Sequence, residues 1–154
     1  MNRDLEAELV PTCRELGIGI VAYSPLCRKI LSAEVHSVAD LNEGDMRPAR
    51  YGRLQPENLV ENAKLAQRVA QLGTERGLTA AQLSLAWVAS QGDDVCPIPG
   101  TTKIAHLDDN IRARAVKLSA EECALVAAAV PQEEVRGNRY VGDDPKKGTF
   151  LENL

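Results

Sequence analysis

Asp94-Val95-Cys96-Pro97-Ile98-Pro99-Gly100-Thr101-Thr102-Lys103-Ile104, running on through His106-Leu107-Asp108-Asp109-Asn110-Ile111, passes from strand to turn to helix within a few residues. Val95 to Ile98 is a short apolar run between an Asp-Asp pair and a Pro-Gly turn, which reads as a buried strand. A helix follows over Ile104–Val116. At Gly100 no side chain stands between the backbone and a ligand. Thr101 and Thr102 place hydroxyls at the start of the helix, where unpaired N–H groups and the helix dipole favour an anion. Lys103 adds a mobile positive charge. The junction suits a phosphate, although strand–Gly–Thr–helix junctions also occur as plain helix caps.

A second junction of the same kind lies upstream. Leu16-Gly17-Ile18-Gly19-Ile20-Val21-Ala22-Tyr23-Ser24-Pro25-Leu26-Cys27-Arg28 is an apolar strand that ends in a small polar loop. Gly17–Ser32 (GIGIVAYSPLCRKILS) resembles the corresponding region of NADPH-dependent aldo-keto reductases, and Asp93–Ile111 (DDVCPIPGTTKIAHLDDNI) resembles a later block of the same family. Gln82–Gln91 (QLSLAWVASQ) is similar to the helix between them, and Arg3–Arg14 (RDLEAELVPTCR) to the helix before. Four blocks in the right order cover nearly the whole chain. The resemblance is to plant enzymes of the perakine-reductase, auxin-induced-protein-like type.

That family is a (β/α)8 barrel, and the similarity is to its C-terminal part, with strands seven and eight represented here. A barrel of this kind needs roughly 250 residues, and the 154 present cannot build it. The expected fold class is therefore α/β, an incomplete TIM barrel. Residues 1–130 are expected to form the C-terminal part of an NADP-dependent oxidoreductase domain, and 131–154 a charged, aperiodic tail with a Gly137-Asn138-Arg139-Tyr140 cluster.

Composition sets outer limits. A net charge of −4 argues against a general nucleic-acid binder, which would carry a basic face, so any anion site must be local. No apolar run approaches the ~20 residues that cross a membrane, and Met1–Glu6 has no signal-peptide core. The four cysteines are scattered with no Cys-x-x-Cys pair, which fits reduced cytoplasmic thiols better than a disulfide framework or a metal site. With only 3% aromatics, the core must be built from Leu, Val, Ile and Ala.

Along the chain, Asp4 to Leu16 reads as a helix with Leu5, Leu9, Cys13 and Leu16 on one face, a break near Val10 ahead of Pro11, and Gly17 as its C-cap. Ile18–Tyr23 reads as a strand covered on both faces. Leu26 to Gln55 has no periodicity, and loops of that length are functional or mobile. It either lies over a cofactor, with Arg50 and Arg53 in reach of phosphate, or is solvated. Pro56 opens a long helix to about Arg76 with Leu59, Ala63, Ala66, Ala70 and Gly73 on one face. Thr79–Gln82 and Ser119–Glu122 read as capping boxes, the second leading to a helix that Pro131 stops. Trp87 reads as a core packer rather than a binding platform.

The resemblance implies a function. In the family, NADPH carries a hydride to an aldehyde or ketone, and the protein supplies position and a proton. The family's tyrosine acid, with its lysine, aspartate and histidine, belongs to the other half of the barrel; Tyr23, Tyr51, Tyr140, His36 and His106 do not stand in that context. By motif position, Tyr23, Ser24, Pro25, Leu26, Cys27 and Arg28 resemble the loop along the pyrophosphate, with the Tyr23 ring under the nicotinamide. Gly100, Thr101, Thr102, Lys103, His106, Asp109 and Asn110 resemble the part holding the adenosine end, where Lys103 would pair with the 2′-phosphate and Asn110 with the adenine edge. Two departures stand out: the family has glycine at the positions of Cys27 and Lys29. The chain alone is expected to be catalytically inactive and poorly stable, with a carbonyl substrate engaged only if the N-terminal half is supplied. The alternatives are a non-catalytic nucleotide-binding or interaction module, self-associating through its open sheet edges, and an inactive truncated product.

Overall fold

The computed structural model describes residues 1 and 3–142. In chain order the elements are helix α1 (Leu9–Glu15), strand β1 (Ile20–Tyr23), helices α2 (Arg47–Arg50), α3 (Pro56–Thr74) and α4 (Ala80–Ala89), strand β2 (Val95–Ile98), and helices α5 (Ile104–Ala113) and α6 (Ala120–Ala129). The two strands pair in parallel, with Ile20 opposite Val95 and Tyr23 opposite Ile98. A parallel pair needs a long crossover, which α3 and α4 supply.

Local chemistry accounts for most boundaries. The expected helix at the start divides into a 3-10 turn, Asp4–Glu6, and α1. The division falls at Ala7–Glu8, earlier than expected, so that Pro11 lies in the first turn of α1, where its missing N–H has no intrahelical partner to lose. At the other end Gly17 takes a left-handed φ of 68°. Its N–H donates to Arg14 O at 3.2 Å and that of Ile18 to Cys13 O at 2.8 Å, the double bond of a Schellman cap. Both capping boxes form: Thr79 exchanges hydrogen bonds with Gln82, and Ser119 with Glu122. α5 stops at Ala113, short of Val116, because Arg114, Ala115 and Val116 donate three residues back, a tightening that ends the α-helix.

The strands differ from expectation in their cover. Ile20, Ala22, Val95 and Pro97 are half-buried on the side where α4 packs on β2. On the other face Val21 is 64% exposed, Tyr23 54% and Ile98 48%. Their apolar sequences anticipate cover on both faces, and among the described residues no third strand supplies it.

The core lies between the helices and the long loop. Leu65 and Val69 of α3, Leu83 of α4, and Val126, Ala129 and Val130 around α6 form one cluster with Leu31, and Trp87 packs against it as expected. Ile30, Val35 and Leu54 join Leu59 and Ala66 in a second. The reading of 26–55 as a solvated loop is thereby corrected. Four of its apolar side chains are buried, each worth roughly 1.5–3 kcal/mol. Short turns at Cys27–Ser32, Val38–Asp40 and Gly52–Leu54 carry them inward.

One buried polar side chain ties this loop to the segment beyond α6. Asn62 of α3 is 0% exposed. Its Nδ2 donates to Arg53 O at 3.1 Å and Arg136 O at 2.9 Å, and its Oδ1 accepts from the Arg136 N–H at 2.9 Å. Farther along, Arg53 N–H donates to Asn138 O at 3.2 Å and Val141 N–H to Arg50 O at 3.0 Å. A Cβ on Gly52 would sit 2.8 Å from Asn138 O, so the close crossing needs glycine there. Residues 132–142 therefore lie against the body of the protein, while 143–154 are outside the described residues.

Replacing Asn62 leaves three main-chain groups without their partner in a dry site. Asn62→Leu is expected to destabilise the fold by about 2–3 kcal/mol, read from the denaturation midpoint, and to open the chain to protease around residues 134–142. A midpoint within error of the parent would show that Asn62 does not hold this crossing.

Candidate functional site

Because β1 and β2 run in parallel and in register, their carboxyl ends emerge side by side, with Tyr23 next to Ile98. In parallel α/β folds ligands bind at that end of the strands. Two loops leave from it, and their chemistry differs.

The loop after β1 is bent hard. Ser24, Cys27, Arg28, Lys29 and Ala33 all have positive φ, 53°, 47°, 53°, 82° and 55°. For an L-residue with a Cβ the left-handed region costs on the order of 1–2 kcal/mol, and such strain gathers where function dictates backbone shape. Two of the five, Cys27 and Lys29, are the positions where the resemblance in sequence has glycine. At both, the backbone takes the left-handed conformation that glycine adopts without strain.

This loop turns Arg28 back onto Tyr23. Arg28 Nη2 donates to the Tyr23 hydroxyl at 2.5 Å, and its guanidinium carbon lies 5.6 Å from the Tyr23 ring centre and 3.8 Å from that of Tyr51. Arg139 lies 5.5 Å from the rings of both Tyr23 and Tyr140, and the Tyr51 and Tyr140 rings are 5.5 Å apart. The hydrogen bond from Ser24 and then the Arg28 guanidinium hold the Tyr23 phenol below the usual tyrosine range. Together these groups border a cleft of about 940 Å³, otherwise lined largely by apolar side chains such as Val21, Leu31 and Trp87.

Of the residues expected along a pyrophosphate, Tyr23, Ser24, Pro25, Cys27 and Arg28 line this cleft, while Leu26 is half-buried outside it. Arg53 lines it as well, and its buried Nε has no hydrogen-bond partner among the described residues. Arg50 does not reach the cleft. Sequence reasoning missed Tyr51, Arg139 and Tyr140 as members of the cluster, and the one signal for the last two was the Gly-Asn-Arg-Tyr run beyond the final helix.

The loop after β2 lies apart from the cleft. Gly100 has open space where a Cβ would stand. Thr101 Oγ1 accepts from the Lys103 N–H at 3.1 Å, folding the turn on itself. Thr102 and Lys103 are exposed, and no carboxylate among the described residues pairs with Lys103, which is the N-cap of α5. His106 Nε2 is 3.7 Å from Glu34 Oε1, Asp109 Oδ1 accepts from Gln82 Nε2 at 3.1 Å, and Asn110 is half-buried. The fold thus brings the two groups of candidate residues to one end of the sheet but into separate surroundings. Among the described residues no group of three or more His, Cys, Asp or Glu is placed to hold a metal, and no helix is long and apolar enough to cross a membrane. All four cysteines are free.

Comparison with known proteins gives this geometry a context. Residues 1–131 match the model of the aldo/keto reductase family. A soybean protein described as probable aldo-keto reductase 1 is 49% identical over 139 residues, which are 90% of this chain and 40% of the relative. Among solved structures, an aldo-keto reductase from Klebsiella pneumoniae in complex with NADPH is 28% identical with a TM-score of 0.60, covering 89% of this chain and 39% of that one. A glycerol dehydrogenase from Gluconobacter oxydans shares the fold with a TM-score of 0.73 at 21% identity, over 84% of this chain and 39% of its own. The chain thus spans about two-fifths of the length of the relatives it matches.

Two outcomes follow from the β1 loop. Cys27→Gly and Lys29→Gly should each stabilise the protein by about 0.5–1 kcal/mol, the relief of left-handed strain less the entropy glycine adds to the unfolded chain. A loss of stability on both changes would mean that the side chains, not the backbone, hold the loop. Absorbance titration should find Tyr23 ionising below the usual tyrosine range, and Arg28→Met should raise it. No change with that substitution would rule out the Arg28 contribution.

Proposed function

The chain belongs to the aldo/keto reductase family, whose fold is a TIM barrel, and from that premise we propose that it is the NADPH-binding portion of a carbonyl reductase. In this reading β1 and β2 are strands seven and eight of the barrel, residues 1–130 belong to the oxidoreductase domain, and 131–154 are its C-terminal extension. The reaction is reduction of an aldehyde or ketone to an alcohol in the cytoplasm, where the free thiols remain reduced.

The observation that carries this reading is the pairing of two phosphate-suited loops at the carboxyl ends of adjacent parallel strands. Bound NADPH would supply the hydride. Arg28 and Arg53, which line the same cleft, would face the pyrophosphate, and the orphaned Arg53 Nε fits an anion there. The Tyr23 ring, at the mouth of an apolar cleft, would support the nicotinamide and keep water from it. Lys103, exposed at the start of α5, would read the 2′-phosphate, with Thr101, Thr102 and the open backbone at Gly100 around it. No residue here is assigned the proton transfer, and orientation of acid, cofactor and carbonyl supplies much of the rate. The chain alone is therefore not expected to turn over.

A second reading has one specific observation behind it. The sheet has only two strands among the described residues, so the outer edges of β1 and β2 are open, which suits an interaction module that pairs its sheet with another chain.

The cofactor reading is tested at Lys103. Lys103→Met should weaken NADPH about 10- to 100-fold, from loss of a charge-assisted contact, and leave NADH nearly unchanged, as measured by calorimetry. Equal weakening of both would show that Lys103 does not read the extra phosphate. No binding of either by the parent chain would favour the interaction module.

A further inference from the structure

The left-handed turn after β1 is held from the far side of the long loop. Arg47 Nη1 donates to the Arg28 carbonyl at 2.9 Å, across 19 positions in sequence. That carbonyl sits inside the strained run, where Arg28 has φ 53° and ψ 44°. Such a conformation is unfavourable for an L-residue and persists only where the surroundings over-determine it. The Arg47 bond is one such restraint.

Arg47 is itself oriented by Asp45. Its Nε donates to both Asp45 carboxylate oxygens at 3.0 Å and its Nη2 to Oδ2 at 2.6 Å, while the Arg47 N–H donates to Oδ1 at 2.9 Å. The pair is largely shielded, with 14% of the Asp45 side chain and 25% of the Arg47 side chain exposed. A guanidinium presents its donors in a rigid planar fork. With the Nε–Nη2 edge engaged by the carboxylate, Nη1 is the arm that reaches outward, and its direction is set. Arg47 also opens α2, and the Tyr51 N–H at the end of that helix donates to the Arg47 carbonyl at 2.9 Å. The Tyr51 ring in turn lies under the Arg28 guanidinium, 3.8 Å from its carbon. The segment 45–51 therefore grips Arg28 by both main chain and side chain. Arg28 lines the cleft and Arg47 does not.

We propose that Arg47, aimed by Asp45, is a positioning residue for Arg28, holding its guanidinium toward the pyrophosphate of the nucleotide without itself touching the ligand. The inference rests on the role given to Arg28 above. It gives the aperiodic stretch before α3 a part in binding that is separate from its part in the core.

Calorimetric titration of NADPH into the whole chain tests it. Arg47→Lys keeps a cation beside Asp45, so the fold and its denaturation midpoint should survive, but an ammonium lacks the second arm of the fork. NADPH should weaken about five- to tenfold, on the order of one hydrogen bond. Asp45→Asn leaves Arg47 in place and keeps an acceptor for its N–H, but loosens the fork, and should weaken NADPH about threefold. Arg28→Met should weaken it at least as far as Arg47→Lys does. Adding Arg47→Lys to Arg28→Met should then change nothing further, because the residue being positioned is gone. Tyr23 supplies a readout that a purely structural role would not move. Arg28 hydrogen-bonds its phenol, so Arg47→Lys should raise the pH at which Tyr23 ionises, followed by absorbance in the folded chain. Arg47→Lys and Asp45→Asn variants that bind like the parent, losses at 28 and 47 that multiply, or an unmoved Tyr23 would each overturn the positioning role while leaving the Arg28 contact standing. An Arg28→Met variant that binds like the parent, or a parent chain that binds no NADPH, overturns both.

Discussion

The parallel, in-register pairing of Ile20–Tyr23 with Val95–Ile98 dictates the path of the chain around it. The partners are 75 positions apart in sequence, and a parallel pair cannot be closed by a tight turn. The intervening chain has to travel back along the sheet, which α3 and α4 accomplish, and the loop after β1 must first leave the strand end without blocking its neighbour. The left-handed residues Ser24 and Cys27 to Lys29 are how it does so. They reverse the chain within a few residues and send Ile30 and Leu31 straight into the core. Backbone strain at the strand end is thus offset by burial only a few residues later. The same turn places Arg28 against Tyr23.

Features written in short-range chemistry were legible in the sequence. Gly17 after a helical run, Thr79 and Ser119 three residues before Gln82 and Glu122, and the apolar stripe of α3 each specify an element through contacts within a turn or two. Their reading matches the structure closely, as does the adjacency of the two strands. Pro11 shows the limit of boundary reading: its position in the first turn of α1 follows from its missing N–H, but the residue where the turn begins is set by its neighbours.

What was not legible depends on contacts distant in sequence. Ile30, Leu31, Val35 and Leu54 carry no period, so nothing local distinguishes a packed loop from a solvated one. Asn62 sits on the apolar face of α3 as a polar interruption, and only the fold shows that Arg53 and Arg136 converge on it. The tyrosine–arginine cluster draws on β1, on the loop before α3 and on the segment after α6. At the candidate site the sequence supplied residue types and order, since Lys103 and Arg28 suit phosphate wherever they lie. Which of these line the cleft, and which lie apart from it, could only be read from the fold.

The packing of α5 follows from the same separation of local pattern from tertiary contact. An amphipathic helix ordinarily buries its apolar stripe, and exposing Ile104, Leu107 and Ile111 forgoes that stabilisation. The polar side then has to be held by directed bonds, which are weaker in sum but fix rotation more sharply than a slippery apolar contact does. Together with Val21, Tyr23 and Ile98 on the open face of the sheet, the exposed stripe also means that substantial apolar surface remains in water. Two strands alone are marginal, so the stability of this chain rests mainly on the two clusters between the helices and the loop, and least on the sheet that organises it.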